Sequence, residues 1–268
     1  LQGGDDLNRV PGRDSVRTRA RGRIRGALEP LRPARVAALL AVLASLATGV
    51  PARAQTLRPV VVEYYGATAK GKFELANDGL VPLTVILEPK SFDVTETGDA
   101  IYRALDPRIR LRLSTMSVRI PARQSRWVFF EARTDSVPAW FVVTATFSGM
   151  PKRSGLEVLV ELPHTVYLVQ KELLRREDVR VTSAVYSAAE KWILLEIENR
   201  SPRLGRVTQV EAFGKGERRE HPSFPLLPGG RRQLLIPWDA ASEPDRVTLR
   251  FQGFTLEVPL QKTSQVAG

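Results

Sequence analysis

Apolar and polar residues alternate in short runs along most of this chain, with a turn signal every 8 to 14 residues. "VVVEYY" (Val60–Tyr65) is β-branched and aromatic, the composition that strands favour. In "KFELA" (Lys72–Ala76), Phe73 and Leu75 share one face, and Asn77-Asp78-Gly79 follows as a turn before "LTVIL" (Leu83–Leu87). "RIRLRL" (Arg108–Leu113) points Ile109, Leu111 and Leu113 one way and Arg108, Arg110 and Arg112 the other. "MSVRIPARQSRWVFFEA", "WFVVTATF" (Trp140–Phe147) and "LEVLVELPHTVYLV" (Leu156–Val169) continue the pattern. No 3.6-residue period is sustained, so the pattern predicts an all-β antiparallel sandwich or barrel.

The charged stretch "QKELLRRED" (Gln170–Asp178) interrupts the strands, which then resume with "VRVTSAVY", "WILLEIEN", "RVTQVEAF", "RQLLIPW", "RVTLRF" and "FTLEVPL". The second series repeats the first. Asn199-Arg200-Ser201-Pro202 takes the turn place of Asn77-Asp78-Gly79, and "PLLPGGRRQLLI" echoes "VRIPARQSRWVFF". The order of features holds while their spacing drifts, which predicts two related units of about 100 residues, each large enough to bury a core. The expected units are 55–169 and 179–262, with a linker at 170–178 and a tail at 263–268.

Charge changes the picture at the N-terminus. The formal net charge is +11, yet residues 1–54 alone hold ten Arg against four acids. Within them "RVAALLAVLASLATGVPARAQT" has an Arg head, an apolar stretch from Val36 to Val50 and the small-any-small Ala52-Arg53-Ala54, the layout of a secretory signal peptide. A signal anchor is the alternative, although about 15 apolar residues fall short of the roughly 20 that a span needs. Residues 1–54 are therefore read as a basic extension plus signal peptide, and most of the basicity argues for an address rather than for nucleic-acid binding. The absence of Cys excludes disulfides, thiolate nucleophiles and Cys-ligated zinc.

Candidate chemistry is sparse. His164 and His221 are 57 residues apart without neighbouring ligands at metal spacing, so both are expected to be structural or solvent-facing, with no metal and no cofactor. There is no Gly-x-Ser-x-Gly elbow, and Gly214-Lys215-Gly216 lacks the remainder of a P-loop and reads as a turn. Scattered carboxylates mark no acid–base pair, so no enzyme activity is expected. The stripe Arg108, Arg110, Arg112 is basic but is expected to have no interleaved aromatics on its face, and reads as a solvated outer face. Asn199-Arg200-Ser201 fits a glycosylation sequon, which means little if the exporter is bacterial. "SGLEVLVEL" (Ser154–Leu162) alternates Leu156, Val158, Val160 and Leu162 and closes the first unit; such a strand either pairs within its own sandwich or accepts a strand from a partner.

"FELANDGLVPLTVIL", "VRIPARQSRWVFFEA" and "PAWFVVTATF", together with an export signal and a second sandwich, resemble the periplasmic pilus-assembly chaperones. The resemblance covers roughly 57–260 and is strongest over 57–169. It implies two immunoglobulin-like domains in tandem. It also implies that the last strand of the first domain completes a subunit's sandwich, and that a basic pair in the cleft, an Arg on the first strand and a Lys on the last, holds the subunit's C-terminal carboxylate. Here Val60, Val61 and Val62 stand near the place of the Arg, and His164, Thr165 and Val166 near that of the Lys. Arg58 and Lys171 are close but out of register, and the role is not carried onto them.

The expected protein is thus a periplasmic, non-enzymatic chaperone that caps pilin-like subunits through Leu156, Val158, Val160 and Leu162. Its partners would include those subunits and an outer-membrane assembly platform. It would bind no nucleic acid and would not be integral to the membrane after signal cleavage. The alternatives are an exported structural or adhesive module without a client, and an exported polyanion or cell-wall binder using the Arg108–Arg112 face.

Overall fold

In the computed structural model, which describes residues 55–149 and 158–263, the chain folds from Gln55 into β-strands whose burial follows the alternation of the sequence. The first ten are β1 (Gln55–Arg58), β2 (Val61–Tyr65), β3 (Thr68–Asn77), β4 (Leu83–Val94), β5 (Ala100–Ala104), β6 (Ile109–Leu113), β7 (Ser117–Ile120), β8 (Gln124–Thr134), β9 (Ala139–Ser148) and β10 (Val160–Val169). In β8, Val128, Phe130, Ala132 and Thr134 are buried while Trp127, Phe129, Glu131 and Arg133 are exposed. One sheet has the order β1-β3-β8-β6, and the other β2-β10-β9-β4-β5 with β7 also against β4. Phe73, Leu75, Val85, Val128, Phe141, Val143, Phe147 and Leu168 fill the space between them.

That strand order is immunoglobulin-like: β3 pairs with β8 in one sheet, and β4, β9 and β10 lie side by side in the other. The first strand is shared between the sheets. β1 lies antiparallel to β3, the chain then crosses at Pro59, and β2 lies parallel to β10. The sequence pattern read this segment as one strand; the structure divides it in two.

The second sandwich repeats the plan with β11 (Val179–Ser187), β12 (Trp192–Asn199), β13 (Gly205–Gly214), β14 (Glu217–His221), β15 (Phe224–Leu226), β16 (Arg231–Pro237), β17 (Arg246–Phe251), β18 (Thr255–Pro259) and β19 (Gln261–Thr263). Its sheets run β16-β12-β11-β19 and β14-β13-β17-β18, with β15 against β13. Ile193, Leu195, Ile197, Val210, Leu249 and the fully buried Trp238 form its core. Between the two units a short 3-10 turn spans Arg176–Asp178.

The two sandwiches meet through Phe92, Val142, Tyr167 and Val169 of the first and Leu204 of the second. Gln170 behaves like an extra strand residue at this seam: its amide donates to the Leu204 carbonyl at 2.8 Å and its carbonyl accepts from the Leu204 N–H at 3.2 Å. Glu63 and Arg206 form an ion pair across the seam, with the Arg206 guanidinium over the Tyr167 ring.

The sequence echo has one physical basis. Asn77 is fully buried, and its amide donates to the carbonyls of Val81, Ile120 and Pro121 while its oxygen accepts from Gly79 N–H. Asn199 is equally buried, donates to the carbonyls of Arg203, Leu226 and Leu227, and accepts from Ser201. Each Asn ties the turn after its own strand to a segment more than 25 residues away. An Ala at either place strands several buried backbone groups, each costing about 1–3 kcal/mol when unpaired. Asn77→Ala and Asn199→Ala are each expected to lower the unfolding free energy by about 3 kcal/mol in urea titration, and Asp78→Ala, at an exposed turn position, by under about 0.5 kcal/mol.

Candidate functional site

β10 is the strand on which the sequence places the partner site, and its two edges are unequal. Towards β9 it is paired from Val160 to Leu168. Towards β2 it is paired only from Thr165 to Val169, because the chain before β2 turns away to the other sheet. Thr165 N–H donates to the Val60 carbonyl at 2.7 Å. Backbone groups alternate along a strand, so those of Pro163 and Glu161 point the same way as those of Thr165, to an edge left unpaired among the described residues. The exposed Glu161 offers both a donor and an acceptor on this edge. Pro163 offers only its carbonyl, and an edge is where a strand tolerates proline.

Of the four residues assigned to this strand, Val160 and Leu162 are half-buried and pack on the margin of the first core. Val158 is 43% exposed and precedes the strand, beside Leu159 at 57%. Leu156 lies outside the described residues, as does 1–54, where the signal peptide is expected. The strand therefore begins at Val160 and runs to Val169.

His164, buried completely, closes the inner side of this edge. Its ring stacks on Phe73 at 4.5 Å and lies 5.5 Å from Phe130, and Nδ1 is 2.7 Å from the Pro59 carbonyl. A carbonyl only accepts, so Nδ1 carries the proton and Nε2 faces the core as a lone pair without a partner. Desolvation dominates and holds its pKa below the ordinary value, with the Pro59 hydrogen bond opposing. His164, one of the three residues near the place where the resemblance implies a lysine, is thus a neutral core residue.

The cleft beside this edge has another cation. A cavity of about 360 Å³ is lined by Phe92, Tyr102, Pro163 and Tyr167 from the first sandwich and by Phe224 and Arg232 from the second. Arg232 donates weakly to the Thr95 carbonyl at 3.4 Å, its Nε is buried without a partner, and its guanidinium lies 5.1 Å from the Phe224 ring. Gly98, at φ +107°, lets the guanidinium lie against the backbone; any β-carbon there would collide with it. Burial lowers the Arg232 pKa, and Asp99 opposes this only through its field. Sequence reasoning missed Arg232 because it stands in the second unit, far in sequence from the β4–β5 hairpin that it touches. Arg58 is exposed on β1 and Lys171 is exposed beyond β10.

One expectation is corrected outright. The Arg108–Arg112 stripe was read as lacking aromatics, but β6 pairs with β8 so that Arg110 and Arg112 share a face with Trp127 and Phe129. Adjacent strands in space are far apart in sequence, which hid the combination. Among the described residues no group of three or more His, Asp or Glu converges as a metal site, and no helix is long and apolar enough to cross a membrane.

No family model matches the chain, and no curated protein matches it. Solved structures do resemble it. One, of the Salmonella enterica SafA pilin with the SafB chaperone, has TM-score 0.49 and 12% identity and covers 77% of this chain and 96% of that one. The YadV chaperone gives TM-score 0.46 and 11% identity over 76% and 96%, and the E. coli chaperone DraB 0.44 and 16% over 78% and 98%. The chain is similar in structure to fimbrial chaperones.

The His164 environment predicts a pH dependence. The unfolded imidazole titrates near about 6.5. The folded one titrates lower, so protons bind the unfolded chain first. The stability contribution is complete above the unfolded value and is lost as pH falls towards the folded one. The urea midpoint should therefore fall between pH 7.5 and 5, and His164→Phe should flatten that slope.

Proposed function

We propose that this chain is a periplasmic chaperone of surface-structure subunits, which it holds by adding their strand to the open half of β10. The observation that carries this reading is the unequal pairing of β10: its first five residues have a full partner on one side and, among the described residues, none on the other. An incoming strand would continue the sheet from Glu161, as in other cases of strand addition. Its inward side chains would meet Val160 and Leu162 at the core margin, and Val158 and Leu159 would extend the apolar contact, each anchor contributing roughly 1.5–3 kcal/mol. Leu156 completes the alternation in the sequence.

Arg232 supplies a cation to the cleft, which neither Arg58 of β1 nor Lys171 lines. It faces the cleft next to Pro163 and has no ion-pair partner among the described residues, so a carboxylate of the client arriving there would satisfy a guanidinium that is already partly desolvated. The Arg-headed apolar stretch before Gln55 supports export, and the resemblance of 57–169 to pilus-assembly chaperones supports a pilin-like client and an outer-membrane platform as second partner.

The test is capture of a subunit from periplasm, followed by reconstitution of the purified pair. Val158→Asp and Leu159→Pro lie on an exposed approach to the strand and should leave the melting temperature unchanged while abolishing retention. Arg232→Glu should weaken it at least tenfold. Amide exchange at Glu161 should slow in the complex. A pair that survives both strand variants, or leaves Glu161 exchange unaltered, would overturn strand addition.

A further inference from the structure

The outer face of the β1-β3-β8-β6 sheet carries a pattern that the strand-capping reading does not use. Register sets its residues in rows across the strands: Arg58, Glu74 and Trp127; then Lys72 and Phe129; then Lys70, Glu131 and Arg112; then Arg133 and Arg110. Rows on one strand are ~6.7 Å apart and neighbouring strands ~4.8 Å. Six cations in these rows therefore meet two acids within them, Glu74 and Glu131, and a third, Asp135, just past the end of β8. Lys70 pairs with Glu131 and Arg110 with Asp135, which leaves Arg58, Lys72, Arg112 and Arg133 without a carboxylate partner among the described residues.

Three features separate this face from an ordinary solvated one. Trp127 and Phe129 are 48% and 55% exposed in its middle, two large rings that stand about half in solvent. Lys72 Nζ lies 4.4 Å from the centre of the Trp127 ring, presenting a cation and an aromatic face together. Arg110 stands directly opposite Arg133, a like-charge cross-strand pair that costs stability. A shallow depression of about 250 Å³ lies beside these rows, lined by Arg112, Ser114, Phe129 and Glu131.

We propose that this face binds an extended acidic glycan. Carboxylates along such a polymer would pair with Arg112, Arg133 and Lys72, the guanidinium groups donating to both carboxylate oxygens in bidentate fashion. The apolar faces of its sugar rings would lie on Trp127 and Phe129. A nucleic acid has comparable chemistry, but the export layout at Val36–Ala54 places the chain among envelope polymers, and charge complementarity then selects a glycan. The face belongs to the sheet opposite β10, so glycan and client would be held independently.

The experiment measures binding of the signal-cleaved chain to polygalacturonate by calorimetry across a salt series, with neutral dextran and a single-stranded oligonucleotide of matched charge as comparisons. The wild type should bind polygalacturonate with an affinity that falls as salt rises, and should not bind dextran. Lys72→Glu/Arg112→Glu/Arg133→Glu should weaken binding on the order of tenfold or more at low salt and flatten the salt dependence. Trp127→Ala/Phe129→Ala should weaken it several-fold with the salt slope unchanged. Arg180→Glu, an exposed change in the second sandwich, should have no effect. Wild-type affinity in the charge variant or in the aromatic variant, equal loss in Arg180→Glu, binding to dextran, or tighter binding to the oligonucleotide would each overturn the proposal.

Discussion

The hydrogen bond from the His164 ring to the Pro59 carbonyl sits where the first strand leaves one sheet for the other, and much of the first sandwich follows from that departure. Before Pro59 the chain pairs with β3; after it the chain pairs with β10. One segment cannot cover all of β10 while serving both sheets, so the first half of β10 stays open. The bond lies between two aromatic rings, Phe73 and Phe130, in the same core that Val160 and Leu162 border. A neutral imidazole suits this place because its single donor meets the carbonyl and its remaining lone pair faces an apolar wall, whereas a lysine would bring an uncompensated charge into the core.

The second sandwich adds what the first lacks. Its Leu204 backbone is bound at both ends by Gln170, so the linker is stitched to β13 by a ladder made from a side chain. Its Gln233 N–H donates to the Glu96 carbonyl at 2.7 Å beside Arg232, which fixes the guanidinium at the wall of the cleft. Cleft chemistry thus comes from both units, with the apolar walls mainly from the first and the unpaired cation from the second.

The fold was legible because alternation and turn chemistry are local. Lys72–Ala76, Leu83–Leu87 and Trp192–Asn199 all form strands where their patterns predict them, and the two Asn turns hold the same places in both units. The echo is slightly off in detail: Pro121 corresponds through the Asn bonds to Leu227, not to Pro228, since a carbonyl is all that the Asn amide requires. What the chain did not disclose is lateral. Nothing local says that Arg112 lies across from Glu131 and near Phe129, or that Arg232 reaches the turn at Gly98. The division of the first strand was hidden as well, because Val61 and Leu57 are equally good strand residues and only the crossing at Pro59 separates them.

Pro163 has a consequence beyond being tolerated at an edge. A row of alternating donors and acceptors is indifferent to its guest, and two copies of such an edge readily join each other. A missing donor makes the row uneven, so a guest shifted along it would leave a carbonyl without a hydrogen at a different place in its own chain. On the proposed reading the edge of β10 would discriminate between alignments of one guest as well as between guests, and it would be a poor template for a second copy of itself.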